Sequence, residues 1–357
     1  MECGYHVSVA RTPHRIAVFR ALQIGDMLVA VPALRALRRA YPRAHITLIG
    51  LPWARDFVDR FGYCDELLEF PGFPGLPERE PDMQALSGFY TAARARQFDL
   101  ALQMHGSGRL TNALVRELGA RAIAGFRPDD ARTPPHFLPW QPHQSELRRY
   151  LDLMIAIGVP PQGEQLEFPI HAAERREASA LLNRHSPLGA TPYICLHPGA
   201  RLPSRRWPAE RFAAVADALA RRGYTIVLTG TTDEAAIALK VREAMRRPAA
   251  NLVGKTSLGT FAALVRRAHL MICNDTSASH IAAATRTPSV VISSGADVAR
   301  WRPLDEIRHR VLWHDTACRP CTHATCPTLH ECARGVAVDA VVNAACRLLG
   351  VDERRVA

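Results

Sequence analysis

Residues 16–37 read IAVFRALQIGDMLVAVPALRAL, an apolar stretch followed by a glycine-aspartate pair and a long segment rich in Ala, Leu and Val. The apolar stretch predicts a buried strand, and the segment after the pair predicts a helix over 27–40. Asp26 would then lie at the carboxyl end of the first strand. Its carboxylate either caps the helix by accepting hydrogen bonds from the first N–H groups, or acts as a catalytic base, because ligands of open α/β sheets bind beyond the carboxyl ends of the strands.

Strand-like and helix-like segments alternate from one end of the chain to the other. Repeated strand-helix units of this kind predict parallel sheets with helices on both faces. The predicted fold class is therefore α/β, with two doubly wound domains of similar size that face each other across a cleft. The predicted strands are 15–21, 45–51, 66–70, 99–104 and 122–126 in the first half, and 193–196, 225–228, 270–273 and 289–292 in the second.

The alternation is interrupted around residues 160–192, which predicts a connection between the two domains. A proline-rich insertion at 127–144 is predicted to be a surface loop, and because long loops are often binding loops it is a candidate for contact with a substrate. The predicted division is an N-terminal domain at 1–170, a linker at 171–190, a second domain at 191–335 and a C-terminal helix at 336–357.

The composition is that of a folded protein, with 48% hydrophobic and 22% charged residues among 357. No apolar run approaches the roughly 18 residues that a membrane span needs, and the N-terminal segment lacks the apolar core of a secretory signal. We therefore predict a cytoplasmic protein. The net charge of +11 comes almost entirely from arginine, and it favours an anionic partner. Because the arginines are scattered and no nucleic-acid-binding motif accompanies them, we predict no nucleic-acid partner; arginine richness could also reflect genomic base composition.

Two strand ends in the second half carry residues suited to phosphate. The segment LHPGARLPSRRWPAERF (196–212) combines a tight glycine turn with Arg205 just before a helix, and arginine beside free backbone N–H groups is a common phosphate ligand. The segment CNDTSASH (273–280) places Asp275 and small hydroxyl residues at a helix N-terminus, which also favours anions. Taken alone, the first segment is better explained as a plain strand-to-helix loop with solvated arginines, and in the second a capping role for Asp275 or Ser277 is compatible with anion binding.

Two further turns into helices in that half carry residues suited to a nucleoside. The turn TGTTDE (229–234) contains Asp233 and Glu234, which could accept hydrogen bonds from ribose hydroxyls. The turn GKTSL (254–258) leads into the next helix. Because the carboxyl ends of parallel strands lie at one edge of a sheet, four such ends in one domain predict a nucleotide site.

At this point the chain resembles glycosyltransferase family 9, the heptosyltransferases that build the lipopolysaccharide inner core from ADP-heptose. The resemblance covers roughly residues 15–345 and is specific to the family, because several blocks occur in the family's order and spacing. The blocks are IGDMLVAVPALRALRRAYP, FDLALQMHG, GARAIAGFRP, LHPGARLPSRRWPAERF, GKTSLGTFAALVRRAHLMICNDTSASHIAAA and PSVVISSG.

The resemblance implies a GT-B fold, in which two Rossmann-like domains bind the acceptor and the nucleotide-sugar donor respectively. It implies an inverting transfer without a catalytic metal or other cofactor, from an ADP-sugar to a lipid-linked or protein-linked hydroxyl. Asp26 matches the family's catalytic aspartate, so the interpretation as a base is favoured; a general base contributes about 10² to 10⁴ in rate. The implied location is cytoplasmic, with possible peripheral contact with the anionic inner membrane.

The resemblance also implies roles in sugar-donor binding. The turn before His280 would hold the diphosphate together with Arg205, which stands where the family commonly has lysine. Ser277 and Ala278 replace the glycine and larger apolar residue of many relatives, a departure that leaves the class intact and bears on the choice of donor sugar. The residues implied for the donor are Arg205, Asp233, Glu234, Thr256, Asp275, Thr276, Ser277, Ala278, Ser279 and His280.

Two other functions remain open from the sequence. One is a sugar-nucleotide hydrolase or epimerase on the same fold, and the other is a non-catalytic nucleotide-binding protein. Retention of Asp26 beside an intact DTSASH segment argues against the second.

Four cysteines are clustered near the end of the chain. Cys318, Cys321, Cys326 and Cys332 have the spacing C-x2-C-x4-C-x5-C, and four thiolates can hold one tetrahedral zinc or iron ion. The alternative is a set of free thiols or one reversible disulfide. A metal at this place would stabilise the loop 318–332 and take no part in the chemistry.

Overall fold

A computed structural model describes residues 12–128, 137–185 and 192–351 of the chain. The chain divides into two compact units, with the boundary between Gln165 and Leu166. No helix in the described segments is both long and apolar enough to cross a membrane.

The first unit contains one sheet and five helices within its described residues. Its elements are β1 (Arg15–Phe19), α1 (Ile24–Ala40), β2 (His45–Gly50), α2 (Ala54–Phe61), β3 (Glu66–Glu69), α3 (Met83–Ala95), β4 (Leu100–Gln103), α4 (Thr111–Arg116), β5 (Ala122–Arg127), β6 (Phe137–Pro139) and α5 (Glu146–Ala156).

The strands of this sheet are all parallel and lie in the order β3-β2-β1-β4-β5-β6. Ile16 of β1 pairs with Ile46 on one side and with Leu100 of β4 on the other. This is the Rossmann strand order, and its direction reverses between β1 and β4. The residues that follow these two strands therefore lie at the place where α/β proteins bind ligands.

Helix α1 is buried along most of its length, with every residue from Met27 to Leu34 covered. A helix that is apolar on nearly all sides is stable only when other elements cover it, and α5 packs against it. Asp26 lies in the first turn of this helix.

The second unit repeats the architecture. Its elements are α6 (Ala172–His185), β7 (Tyr193–His197), α7 (Ala209–Ala220), β8 (Thr225–Leu228), α8 (Ala235–Ala244), β9 (Ala249–Asn251), α9 (Leu258–Arg267), β10 (Leu270–Asn274), α10 (Ser277–Ala284), β11 (Ser289–Ile292), α11 (Val298–Trp301), β12 (His309–Leu312), α12 (Glu331–Arg334) and α13 (Val338–Leu349), with short 3-10 turns at Pro203–Arg205 and Thr232–Glu234.

The second sheet has the parallel order β12-β11-β10-β7-β8-β9. When the strands are numbered from the start of the second unit, this is again the Rossmann strand order, and the direction in which strands are added to the sheet reverses between β7 and β10. The fully buried Trp207 anchors the segment after β7, because its indole N–H donates to the carbonyl of Val336 at 3.2 Å and its ring meets Phe212 edge to face.

The structure differs from the sequence-based expectation at its short strands and boundaries. β6, β9 and β12 were not predicted. Each has only three or four residues, and each contains a proline or small and polar residues, whereas the equally short β8 and β11 are mostly apolar runs. The described part of the expected linker 171–190 contains α6, which packs against α9 of the second unit. Helix α13 packs against α7. Parts of three predicted segments, 129–136, 186–190 and 352–357, lie outside the described residues.

Candidate functional site

A single buried amide joins the loops at the switch point of the second sheet. Asn274, at the end of β10, accepts a hydrogen bond from the backbone N–H of Trp207 at 2.9 Å. Its amide nitrogen donates to the carbonyl oxygens of Pro198 at 2.8 Å and Gly199 at 3.1 Å. The loop after β7 is therefore held against the end of β10 by one side chain.

Glu234 braces the same loop from the neighbouring strand end. Its carboxylate lies 3.4 Å from Nε2 of His197 and accepts from the N–H of Thr231 at 2.8 Å. Burial raises the pKa of Glu234, but the hydrogen bonds and charge of His197 and the N–H of Thr231 outweigh it and lower the pKa to about 2. A Cβ on Gly199 would lie 2.1 Å from the Glu234 carboxyl group, so only glycine permits this contact. Asp233, by contrast, is exposed.

The turn after β9 is attached to the turn after β8. The N–H of Gly254 donates to the carbonyl of Gly230 at 2.9 Å. Gly254 has φ +70°, a left-handed conformation that favours glycine. Thr256 follows in this turn and is half-buried, just before the Ser257 cap of α9.

The first turn of α10 is closed by its own hydroxyl groups. Thr276 is the N-cap, and its hydroxyl oxygen accepts from the N–H of Ala278 at 3.3 Å. Ser279 donates its hydroxyl proton to the carbonyl of Thr276 at 2.7 Å. Burial, reinforced by nearby His309, lowers the pKa of His280 to about 4, so this ring is neutral at neutral pH. The turn, with Ser277 half-buried at its first helical position, presents the positive end of the helix dipole.

Asp275 and Arg205 lie close together at the ends of β10 and β7. Burial raises the pKa of Asp275 to about 6, against the opposing charge of Arg205 and a hydrogen bond from Ser293 at 3.4 Å. Arg205 donates to the carbonyl oxygens of Ser294 at 3.4 Å and Cys321 at 2.7 Å. A pKa of about 6 leaves the Asp275 carboxyl group mostly ionised at pH 7, and its protonation at lower pH would free the charge of Arg205 for an anion.

In the first unit, Asp26 is the third residue of α1. The N-cap position belongs to Gln23, whose side chain makes no capping hydrogen bond, so Asp26 is not the cap residue. The carbonyl oxygen of Asp26 accepts from Nε of the buried Arg20 at 3.0 Å and from a terminal nitrogen of the same guanidinium at 2.5 Å. The backbone that carries the carboxylate is therefore held by a side chain from the end of β1.

Arg20 belongs to a buried polar network across the first switch point. It donates to the carbonyl of Met104, just beyond β4, and to the hydroxyl of Tyr150. That hydroxyl donates to Glu146, which also accepts from Nε of Arg149 at 3.2 Å. The turns after β1 and β4 are thus tied to α5, as a rigid support for Asp26 requires.

Residues 89–331, more than half of the chain, match the family model described as glycosyltransferase family 9 (heptosyltransferase). The chain belongs to glycosyltransferase family 9. This family 9 enzyme is 26% identical over 295 residues to lipopolysaccharide heptosyltransferase 3 of Escherichia coli, covering 78% of this chain and 83% of the relative.

Solved structures share the fold of the family 9 chain. A glycosyl transferase family 9 protein from Veillonella parvula is 24% identical, with a TM-score of 0.77 over 98% of each chain. The E. coli ADP-heptose lipopolysaccharide heptosyltransferase II is 21% identical, with a TM-score of 0.71 over 94% of this chain and 98% of that one. The predicted GT-B fold of two Rossmann-like domains is confirmed.

The structure does not support the metal site predicted at the cysteine cluster of this glycosyltransferase. Among the described residues, no group of three or more His, Cys, Asp or Glu side chains is arranged to hold a metal ion. All described cysteines are free thiols, with Cys318 exposed and Cys332 buried. Cys321 and Cys326 are half-buried. The spacing brings the thiols close along the chain, but the packing of the loop decides where each sulfur lies.

The sequence-based set of site residues omitted two side chains that organise the candidate site. Asn274 sits in a strand position where asparagine is uncommon, and that unusual residue was the available signal. Arg20 directly follows an apolar strand and is almost fully buried, although charged residues are rarely buried without partners.

Proposed function

We propose that this glycosyltransferase moves heptose, or a related sugar, from an ADP-sugar to a hydroxyl group of a lipid-linked acceptor of the lipopolysaccharide core type. The observation that carries the proposal is the arrangement at the second switch point. Arg205, Asp275 and the N-terminus of α10 lie together there, and Asn274 holds the loop after β7 in place by hydrogen bonds. The names of the E. coli relatives, which specify ADP-heptose and lipopolysaccharide, support this donor and acceptor.

The proposed reaction is an inverting displacement. The Asp26 carboxylate takes the proton of the acceptor hydroxyl as its oxygen forms a bond to the anomeric carbon. The bond from that carbon to the β-phosphate oxygen breaks, and ADP leaves with the electron pair. Arg205 and the N-terminus of α10 supply fixed positive charge where negative charge develops, so the mechanism requires no metal ion.

The proposed residue roles follow the loops that carry them. The first unit would bind the acceptor and the second the sugar donor. In the second unit, the diphosphate would lie against Arg205 and the first turn of α10. The remaining assignments are Asp275 near the sugar, Asp233 or Glu234 near the ribose, Thr256 near the base, and Thr276, Ser277, Ala278, Ser279 and His280 along the diphosphate turn.

A thermal-shift panel with ADP, UDP, GDP, dTDP and ADP-heptose tests the donor. A ligand at about 100 times its Kd stabilises a fold by about 2.7 kcal/mol. We expect a shift confined to ADP compounds and larger with the sugar attached. A preference for another nucleotide would discard the ADP donor, and no shift with any of them would favour a non-catalytic protein. Release of free sugar without an acceptor would instead favour a hydrolase.

Asp26→Asn is expected to lower transfer by about 10² to 10⁴ while ADP affinity stays near that of the wild type, because the base acts on the acceptor and not on the nucleotide. Transfer is followed by release of ADP, and affinity by calorimetry. Asp59→Asn, an exposed change on α2 of the same unit, is the matched control and should leave both unchanged. Joint loss of nucleotide binding and transfer in Asp26→Asn would assign the residue a different role.

A further inference from the structure

The loop 318–332 packs directly on the turn that follows β11. The N–H of Cys321 donates to the carbonyl of Gly295 at 2.7 Å, and the carbonyl of Cys321 accepts from Arg205 at 2.7 Å. Ser204 donates its hydroxyl proton to the carbonyl of His323 at 2.6 Å. The loop is therefore part of the wall around Arg205, although the cysteine pattern suggested only a structural role.

This loop brings a second guanidinium to the same place. Arg319 donates to the backbone carbonyl of Ser293 and to that of Ala296 at 2.7 Å, with a longer contact of 3.5 Å to the Ser293 hydroxyl. A guanidinium has more N–H groups than these bonds use. Its Nε is buried without a hydrogen-bond partner among the described residues. Within the described part of the chain, Arg205 likewise uses its two terminal nitrogens in one bond each.

The charges at this place do not balance. Arg205 and Arg319 both act on one half-buried carboxyl group, that of Asp275, whose pKa burial raises to about 6. Among the described residues, the other groups that favour the charge of Arg319 are the Cys332 thiol and the carboxylate of Asp315, which is exposed to solvent and so contributes weakly. The hydroxyl of Ser294, 1% exposed, also lacks a partner within the described structure. Unused donors and excess positive charge together fit a ligand with several anionic oxygens.

We infer that Arg319 is a second cationic ligand of the sugar donor's diphosphate, acting beside Arg205. The inference rests on the proposed function, because it names a further contact of the same nucleotide-sugar site. As the bond from the anomeric carbon to the diphosphate breaks, the leaving oxygens gain negative charge, and paired guanidiniums stabilise it. The cysteine-rich loop thus acts as one side of the donor site.

The test compares Arg319→Gln with Arg319→Lys and Arg266→Gln. Arg266 is exposed at the C-terminal end of α9, which lies at the opposite edge of the sheet from the strand ends, so Arg266→Gln removes the same charge without touching the site. Calorimetry with ADP, inorganic pyrophosphate and adenosine separates diphosphate contacts from nucleoside contacts. Steady-state transfer gives kcat and KM.

Arg319→Gln is expected to bind ADP and pyrophosphate about ten- to hundredfold more weakly, as loss of a charge-assisted hydrogen bond implies. Adenosine affinity should not change, which also shows that the variant is folded. Arg319→Lys should recover part of the ADP affinity, and Arg266→Gln should match the wild type.

Two results would overturn the inference: ADP and pyrophosphate affinities of Arg319→Gln within about twofold of the wild type, or equal weakening of ADP and adenosine, which indicates a structural role. Failure of the proposed donor looks different, because the wild type itself would then not bind ADP. Pyrophosphate still tests Arg319 in that case, and a wild type that binds neither ligand would overturn both proposals.

Discussion

At the scale of single residues, two carboxyl groups of one site have opposite electrostatic environments. Glu234 accepts hydrogen bonds from Thr231 and faces His197, so its pKa falls to about 2 despite burial. For Asp275 burial has the larger effect, and it raises the pKa to about 6 although the charges of Arg205 and Arg319 act to lower it. Glu234 therefore stays ionised near neutral pH and holds its neighbours in place, whereas Asp275 can change its protonation state when an anion binds nearby.

ADP binding is expected to be coupled to uptake of a proton by Asp275. The negative charge of a diphosphate beside a carboxyl group whose pKa is already about 6 favours its protonated form further. The affinity for ADP should therefore rise as the pH falls from about 7.5 toward 6. Calorimetry in buffers of different ionisation enthalpy measures the proton uptake.

The phosphate of ADP titrates in the same range, so Asp275→Asn is the control for this measurement. The variant should lose the part of the uptake that belongs to the carboxyl group. In the free protein, a carboxyl pKa raised from 3.8 to about 6 contributes stability at low pH that is lost as pH rises through about 6. Asp275→Asn should thus unfold at a higher temperature than the wild type near neutral pH only. Identical proton uptake in both proteins would mean that the diphosphate lies away from Asp275.

At the scale of elements, the candidate site is a set of strand-end turns joined by side chains. Asn274 links β10 to the loop after β7, and Glu234 links that loop to the 3-10 turn after β8. Gly254 connects the turn after β9 to the turn after β8. Because these contacts connect neighbouring turns, a change in one of them should affect several loops at once.

Asn274→Leu is expected to destabilise the second unit by about 2 to 4 kcal/mol, because it leaves one N–H and two carbonyl groups buried without partners. ADP affinity should fall with it, since the loop after β7 loses its attachment. Urea titration and calorimetry measure the two effects. Asn183→Leu, on the exposed face of α6, is the control. Full ADP affinity in a folded Asn274→Leu protein would show that this link does not position the site.

Glu234→Gln is expected to lower stability by about 1 to 3 kcal/mol near neutral pH, because a charged acceptor is replaced by a neutral one. The folded-state pKa is depressed from 4.5 to about 2, so this stability is present above about pH 4.5 and is lost as pH falls toward 2. Unfolding curves at several pH values should therefore converge for the two proteins at low pH. Glu243→Gln, exposed on α8, is the control, and its stability should equal that of the wild type at every pH. A difference between Glu234→Gln and the wild type that does not change with pH would mean that the depressed pKa is not its cause.

At the scale of the whole molecule, the chain builds the same parallel sheet twice, each with its own core and its own switch point. The first switch point carries Asp26 and its buried support, and the second carries the groups that we propose bind the donor diphosphate. This separation matches the proposed assignment of the acceptor to the first unit and of the nucleotide to the second.

Hydrogen exchange with and without ADP tests that assignment. We expect protection in the segments after β7, β8, β10 and β11, because bound phosphate and ribose oxygens occupy backbone N–H groups there. Protection in the first unit should be small with ADP alone. Protection confined to the first unit would reverse the assignment of the nucleotide.

The sequence by itself determined the alternation of elements, the α/β class and the residues that follow each strand. These features are local: hydrophobic periodicity, glycine turns and helix starts are written within a few neighbouring residues. The other nine strands of the described segments were therefore predicted within a few residues of their observed bounds, whereas β6, β9 and β12 were not.

Only the tertiary structure decided which loops meet and what each polar side chain does there. Asn274 bonds Trp207, which is 67 residues away, and Arg205 bonds Cys321, 116 residues away. Arg319 reaches the same place from a loop whose cysteines suggested a metal. Such partners depend on strand order and on the packing of loops over the sheet edge, and neither is encoded in a local pattern. The local sequence therefore determined which residues follow each strand, and the tertiary fold determined which of their side chains come into contact.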